Sequence, residues 1–325
     1  MAENIAGADT VNARPLRFLA PMPRLDDDVE NWTKELQRIE DMGFHAVAIS
    51  EHYSNGWAME ALTAMSFALA RTTHLRAMPL VLNNDLHHPA VLAKAISTAH
   101  VLSAGRVGLG LGAGWLQDDY KALGANYGPP LVRVARLEEA LRVIRAFFAG
   151  GLVAFDGEYY KLDGLEALPP VTRGPHPPIL VGGGGAKILD LAGRYADIVG
   201  LHPRMGPGGF NQTAADQLSK SGIEEKLGLV AASAARAGKP APEIQMTCWD
   251  VNIRNVQVTS VKPTFSDYIA THPDRFSNSP VSLRGDIEKC VDDLHRWNEE
   301  LGISYWNLGA RLDAVAPIVA QLSNE

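Results

Sequence analysis

Glu51 and His52 stand at the C-terminal end of an apolar run, Phe44 to Ser50. An imidazole there can give or take a proton near neutral pH. It can equally be a histidine satisfied by packing at a rim. Gly182-Gly183-Gly184-Gly185 separates the apolar Pro177–Val181 from a helical pattern, where backbone N–H groups and the helix dipole favour an anion. A tight turn also uses glycine, but four exceed what such a turn needs, which favours a phosphate. The Lys-Ser/Thr of a nucleoside-triphosphate loop is missing, which argues against ATP chemistry. In Gly105 to Trp115, GRVGLGLGAGW, the apolar Val107, Leu109 and Leu111 read as a buried strand. Its end, Gly112-Ala113-Gly114, is bare enough for something flat to approach the backbone; a tight turn is the plainer alternative. Trp57 and Trp115 offer walls for an aromatic ring, or core. His87 and His88 adjoin, so their side chains point apart, and without a carboxylate cluster no metal site is expected. Arg133 and Arg136, interleaved with Glu138 and Glu139, read as a helix-surface charge pattern.

Elements that could position these residues alternate along the chain. Strands are expected at Leu16–Ala20, Phe44–Ser50, Leu75–Leu82, within Gly105–Trp115, and at Pro177–Val181, Asp197–Leu201, Ile244–Ile253 and Ile303–Leu308. Between them fall helical patterns: one capped by Asp26-Asp27-Asp28 and ended by Gly43, then Met59–Arg71, Pro89–Leu102, Val132–Phe148, a stretch to Ala196, Thr213–Ala237, Arg284–Leu301 and a last one to Leu322. Val153–Leu162 reads as a hairpin turning at Asp156-Gly157. Residues 256–282 fit neither period and read as an insertion near strand seven. Eight strands alternating with helices predict an α/β fold, a single (β/α)8 TIM barrel over residues 16–325, preceded by a flexible tail at 1–15. A doubly wound sheet would carry its glycine fingerprint after the first strand, and none stands there. Barrel active sites gather at the C-terminal ends of strands, which selects His52, the Asn83–His88 loop, Gly112–Trp115, Gly182–Gly185 and the loop after Leu201.

The 325 residues carry a formal net charge of −7, which argues against nucleic-acid binding. Cys248 and Cys290 lack metal-ligand spacing and read as buried thiols of a reducing compartment. No apolar run reaches membrane-spanning length and the N-terminus lacks a signal-peptide core, so the expected location is the cytoplasm.

Several of these segments, in this order, resemble one family: SEHY after the second strand, LNNDLHHPAVLAK after the third, LSAGRVGLGLGAGW, ARLEEALRVI and PPILVGGGGAKILDLAGRYADIVGL. They look like the luciferase-like flavin and deazaflavin oxidoreductases, in particular the branch using coenzyme F420. The resemblance covers about residues 16 to 202 well and 283 to 310 loosely. It implies a TIM barrel with the cofactor ring over the strand ends and its phosphate at Gly182–Gly185. It implies cofactor contacts at Glu51, Leu82, Asn83, Gly112, Ala113, Gly114, Trp115, Val181, Gly182, Gly183, Gly184 and Gly185, and a non-prolyl cis peptide near Leu80 to Leu82. His52 matches the histidine beside the reactive ring face. Glu51-His52 stands where the family often has Asp-His, and Trp115 where its sugar-phosphate dehydrogenases carry a glutamate proton donor; both argue against that substrate. The expected activity is hydride transfer between F420 and a small enone, imine or alcohol by a homodimer. The alternative is an FMN-dependent monooxygenase fed by a separate reductase.

Overall fold

The computed structural model describes residues 14–25, 28–54, 56–171, 174–205, 211–254, 256–257, 268–269 and 271–323. Only the last two residues of the expected 1–15 tail, and parts of the expected 256–282 insertion, fall within these. The first half holds β1 (Arg17–Pro21), α1 (Val29–Asp41), β2 (Ala46–Ile49), α2 (Ala61–Arg71), β3 (Arg76–Pro79), β4 (Leu82–Asn83), α3 (Pro89–Leu102), β5 (Leu109–Gly112), α4 (Gln117–Leu123) and α5 (Pro130–Ala149). A hairpin of β6 (Leu152–Asp156) and β7 (Lys161–Glu166) follows, then β8 (Ile179–Gly183), α6 (Ala186–Tyr195), β9 (Ile198–Leu201), α7 (Gln212–Asp216) and α8 (Lys220–Arg236). The chain continues through β10 (Glu243–Thr247), β11 (Asp250–Ile253), β12 (Val256–Gln257), α9 (Pro273–Phe276), β13 (Ser282–Gly285), α10 (Ile287–Leu301), β14 (Ile303–Asn307) and α11 (Leu312–Leu322).

Nine parallel strands pair in the order β3-β2-β1-β14-β10-β9-β8-β5-β4. β3 and β4 are halves of one strand, interrupted at the cis peptide Leu80–Val81. β3 pairs with β2, β4 pairs with β5, and Ala77 bridges to Val107, so the ring closes with eight staves. The expected (β/α)8 barrel is present. Local chemistry explains why helices wrap it: Asp28 caps α1 by accepting from the backbone N–H of Glu30 and Asn31, 2.9 and 3.3 Å away. The apolar Trp32, Leu36 and Ile39 then face inward at spacings of four and three.

The barrel interior is filled by Leu19, Ala46, Ala48, Met78, Leu180, Ile198 and Tyr305, with Leu80 and Val81 against them. Strand beginnings at the opposite end from the candidate site hold a polar lock. Arg17 binds Glu243, Ser304 Oγ donates to Glu243 at 2.8 Å, Arg17 Nη1 lies 3.0 Å from His45 Nε2, and His45 Nδ1 lies 2.9 Å from the Tyr305 hydroxyl. Burial, aided by the charges of Arg17 and Arg76, pushes the His45 imidazole down to about 3, so it is neutral and accepts from Arg17.

Three expectations need correction. Ile244–Ile253 is not one strand: β10 stays in the barrel, and β11 leaves it for a separate sheet ordered β12-β11-β13. Arg284 belongs to β13 rather than to the helix after it, because its guanidinium binds the buried Asp250 through Nε and Nη2 at 2.5 and 2.8 Å. The helical stretch at 213–237 is two helices, α7 and α8, the second capped by Ser219.

Candidate active site

Glu51 and His52 leave the end of β2 in opposite senses. The Glu51 carboxylate is 4% exposed and accepts from the backbone N–H of Asn83 at 2.8 Å, from His87 Nε2 at 2.9 and 3.0 Å, and from the Tyr53 hydroxyl at 3.2 Å. It ties three segments of the rim together from below. Burial, with the neighbouring Glu51 charge, pushes the Tyr53 phenol up to about 12, so it serves as a donor. Leu82 is fully buried and Asn83 nearly so, beneath the rim.

His52 remains part-exposed at the mouth. Its Nδ1 lies 2.7 Å from Asp119 Oδ2, and its ring centroid is 5.0 Å from that of Trp57 and 6.1 Å from that of Trp115. Nε2 has no hydrogen-bond partner among the described residues. Asp119 is the side chain that sequence reasoning missed. It is 3% exposed, and its Oδ1 accepts from Ser54 Oγ at 2.6 Å and from the backbone N–H groups of Tyr53 and Ser54, each at 3.0 Å. Burial works to raise this carboxyl, yet the hydrogen bonds from Ser54, His52 and Tyr53 outweigh it and hold the group below the ordinary aspartate value. Two adjacent acids, Asp118 and Asp119, read as helix-opening residues, and nothing in the sequence marks the second as buried.

The bare end of β5 has a cause within the protein. A Cβ on Gly112 would stand 2.8 Å from one Val81 methyl, and a Cβ on Gly182 2.9 Å from the other. The flat approach expected at these glycines is therefore made first by Val81, which projects between β5 and β8. At Gly114, with φ +73°, a side chain would run into the Tyr120 hydroxyl and the Asn83 amide. These two are bonded to each other at 3.1 Å, while Arg133 Nε donates to the Gly114 carbonyl at 3.2 Å. Arg133 and Arg136 are consequently not a surface pattern. Arg133 is 5% exposed and stacks on Tyr127, and Arg136 lies 3.4 Å from the buried carboxylate of Asp85. Ala113 and Trp115 sit half-buried on the same rim.

Across the mouth, buried Val181 leads into Gly182–Gly185. A Cβ at Gly184 would collide with the His202 carbonyl and one at Gly183 with Ile188. Gly185 caps α6 without a side chain to satisfy the first-turn N–H groups. Lys226, from α8, donates to the Gly184 carbonyl at 2.6 Å and to Gln217 at 3.3 Å. It is 7% exposed, and among the described residues no carboxylate lies within 4 Å of its ammonium. Burial, with Arg204 nearby, holds its pKa below the ordinary lysine value, and burial pushes His202 down to about 4. A signal for Lys226 existed: it shares the buried stripe of α8 with Ile223 and Val230, where a lysine is out of pattern. Among the described residues no group of three or more His, Cys, Asp or Glu could hold a metal ion, and no helix is long and apolar enough to cross a membrane.

A family model described as luciferase-like monooxygenase matches residues 18–248, more than half of the chain. The chain belongs to the luciferase-like monooxygenase family. Among similar curated proteins, the F420-dependent glucose-6-phosphate dehydrogenase of Kineococcus radiotolerans is 34% identical over 165 residues, covering 49% of this chain and 48% of that protein. The FMNH(2)-dependent dimethylsulfone monooxygenase of Pseudomonas putida is 25% identical over 174 residues, 52% of this chain and 48% of that one. The match thus spans about half the length of the curated relatives. A solved F420-dependent secondary alcohol dehydrogenase in complex with an F420-acetone adduct superposes with a TM-score of 0.72 at 19% identity, covering 94% of this chain and 99% of that one, a likeness of fold. The residues of this luciferase-like protein fit a phosphate-bearing cofactor of the kind such names imply. The N-terminus of α6 has no side-chain cap, a Cβ at Gly185 would meet only the Arg204 side chain at 3.9 Å, and the buried Lys226 ammonium, with no carboxylate within 4 Å among the described residues, lies behind the Gly184 carbonyl.

Proposed function

We propose that this luciferase-like protein transfers a hydride between coenzyme F420 and a small organic substrate, an enone, imine or alcohol. The observation that carries the proposal is His52: a part-exposed imidazole anchored at 2.7 Å to a buried carboxylate, between two indoles, at the strand ends of the barrel. The F420-dependent relatives support the choice of cofactor. A bound deazaflavin supplies hydride chemistry with no oxygen activation, since carbon replaces the flavin N5. Gly183, Gly184 and the first turn of α6 would hold its phosphate, with Lys226 and Arg204 neutralising the charge. Trp57 and Trp115 flank His52 at the mouth, and Nε2 of His52 would exchange with substrate the proton that balances the hydride. In enone reduction the hydride goes to the β-carbon and the proton to the resulting enolate, so electrons and charge balance.

Titration of the purified protein with F420 and with FMN, read by fluorescence quenching, tests the cofactor. F420 is expected to bind in the micromolar range or tighter and FMN much more weakly; equal or tighter FMN binding overturns the proposal. General acid–base assistance is worth about 10²–10⁴ in rate, so His52→Ala should lower kcat within that range at unchanged cofactor affinity. The second reading, a monooxygenase using reduced FMN, is favoured by the dimethylsulfone relative, and oxygen uptake with FMNH2 would select it.

A further inference from the structure

Asp119 reaches His52 from α4, 67 residues away in sequence, and the contact is specific in its atoms. Oδ1 is occupied by three donors, the Ser54 hydroxyl and the backbone N–H groups of Tyr53 and Ser54, and only Oδ2 faces the imidazole. A carboxylate that is ionised can only accept hydrogen bonds. The 2.7 Å contact therefore requires the hydrogen to sit on Nδ1, which leaves the Nε2 lone pair directed away from Asp119. The same three donors fix the Tyr53–Ser54 backbone that follows His52, so one carboxylate sets both the ring's tautomer and the position of its chain.

We propose that Asp119 is the positioning residue of His52: it holds the imidazole as the Nδ1–H tautomer and so makes Nε2 the atom that exchanges a proton with substrate. The inference rests on the proposed role of His52, but its central claim about the tautomer can be measured independently of that role. Asp119→Asn is the informative variant. Its amide oxygen can take the Oδ1 place and keep the three bonds to Tyr53 and Ser54, whereas its NH2 group then faces Nδ1 as a donor. The tautomer must invert, with the hydrogen on Nε2.

The test uses the full 15N-labelled chain without ligand, reading the two His52 ring nitrogens by long-range 1H–15N correlation, with His52→Ala to assign the signals. Wild type is expected as the Nδ1–H form at pH 8, and Asp119→Asn as the Nε2–H form, with a melting temperature close to wild type. With oxidised F420 and cyclohexanol as probe, where Nε2 must accept the hydroxyl proton as the hydride leaves the carbinol carbon for the cofactor, Asp119→Asn should lower kcat about 100-fold or more while the dissociation constant for F420 stays within twofold. Asp119→Glu should recover part of that loss, which a purely packing role would not allow. Wild type in the Nε2–H form, or an unchanged tautomer in a folded Asp119→Asn, overturns the inference whatever His52 does. A tautomer that inverts as expected while His52→Ala keeps normal turnover refutes the acid–base role instead, leaving the positioning geometry standing.

Discussion

Gly182→Ala asks whether the glycines at the strand ends make room for a ligand or for Val81. The new Cβ would stand 2.9 Å from Val81 Cγ1 and 3.5 Å from Cγ2, but 3.8 Å from Val81 Cβ. The first distance is one that carbon atoms do not tolerate, and the last is ordinary contact. Overpacking of this kind costs roughly 1–3 kcal/mol. Removing both Val81 methyls as well, in Val81→Ala/Gly182→Ala, leaves Val81 no nearer than its Cβ at 3.8 Å, so the glycine substitution should cost close to nothing in that background. The interaction energy between the two sites is then about 1–3 kcal/mol and favourable to the pair, in the range seen for residues in contact. Urea denaturation of wild type, both single variants and the double variant, without ligand, measures it directly. If Gly182→Ala leaves the unliganded protein as stable as wild type, or if its cost is the same with and without the Val81 methyls, Val81 is not the reason for the glycine.

Lys226→Met should weaken cofactor binding about thirtyfold, since a unit charge pair even ~8 Å apart at an effective dielectric of 20 is worth ~2 kcal/mol. Stability should hold or rise, because the variant no longer buries an ammonium whose pKa burial depresses, and a melting point falling together with affinity would contradict this. Gly185→Asp should weaken cofactor binding strongly with a native circular dichroism spectrum, because its Cβ meets only the flexible Arg204 side chain at 3.9 Å and its carboxylate would take the first-turn N–H groups of α6 in place of an anion; unchanged affinity places the phosphate elsewhere. His45, with a folded pKa near 3 against an ordinary 6.5, lends stability that is full above pH 6.5 and is lost as pH falls toward 3. The loss runs at roughly 1.4 kcal/mol per pH unit. His45→Gln should flatten the stability curve across that window in urea melts, and parallel curves for variant and wild type would refute it.

The barrel was legible because hydrophobic periodicity and strand-to-helix alternation are local properties of the chain, and Pro89, Gly43 and Asp28 mark helix ends as their chemistry requires. The apolar run from Ile244 misled because β10 and β11 follow each other with only Cys248 and Trp249 between them, both buried. The clue was Asp250, a charge inside an apolar run, buried by a partner 34 residues later. Within the site, the strand-end rule gathers His52, Trp115 and the glycine cradle at one mouth, because in a barrel that rule depends on element order alone. It could not find Asp119 or Lys226, whose roles arise from pairings across 67 and 42 residues. It also could not show that Gly112 and Gly182 are shaped by Val81, since a missing side chain looks the same whether protein or ligand fills the space.

β11 and β13 run parallel, with Asp250 opposite Ser282 and Ile253 opposite Gly285, and Arg284 and Ser282 both bind the Asp250 carboxylate. The chain between Arg254 and Val281 therefore departs from and returns to one clamped base that is itself outside the barrel. Lengthening such a loop is cheap, about 0.6 kcal/mol for each doubling, because only the closure entropy changes. The segment is also anchored beyond the clamp: Ile269, Phe276 and Val281 are buried in the main core, Ser279 Oγ donates to the Leu218 carbonyl at 2.5 Å, and Arg275 pairs with Asp216 at 2.7 Å. Added length is therefore cheap only where it leaves the Asp250 clamp and these core contacts in place.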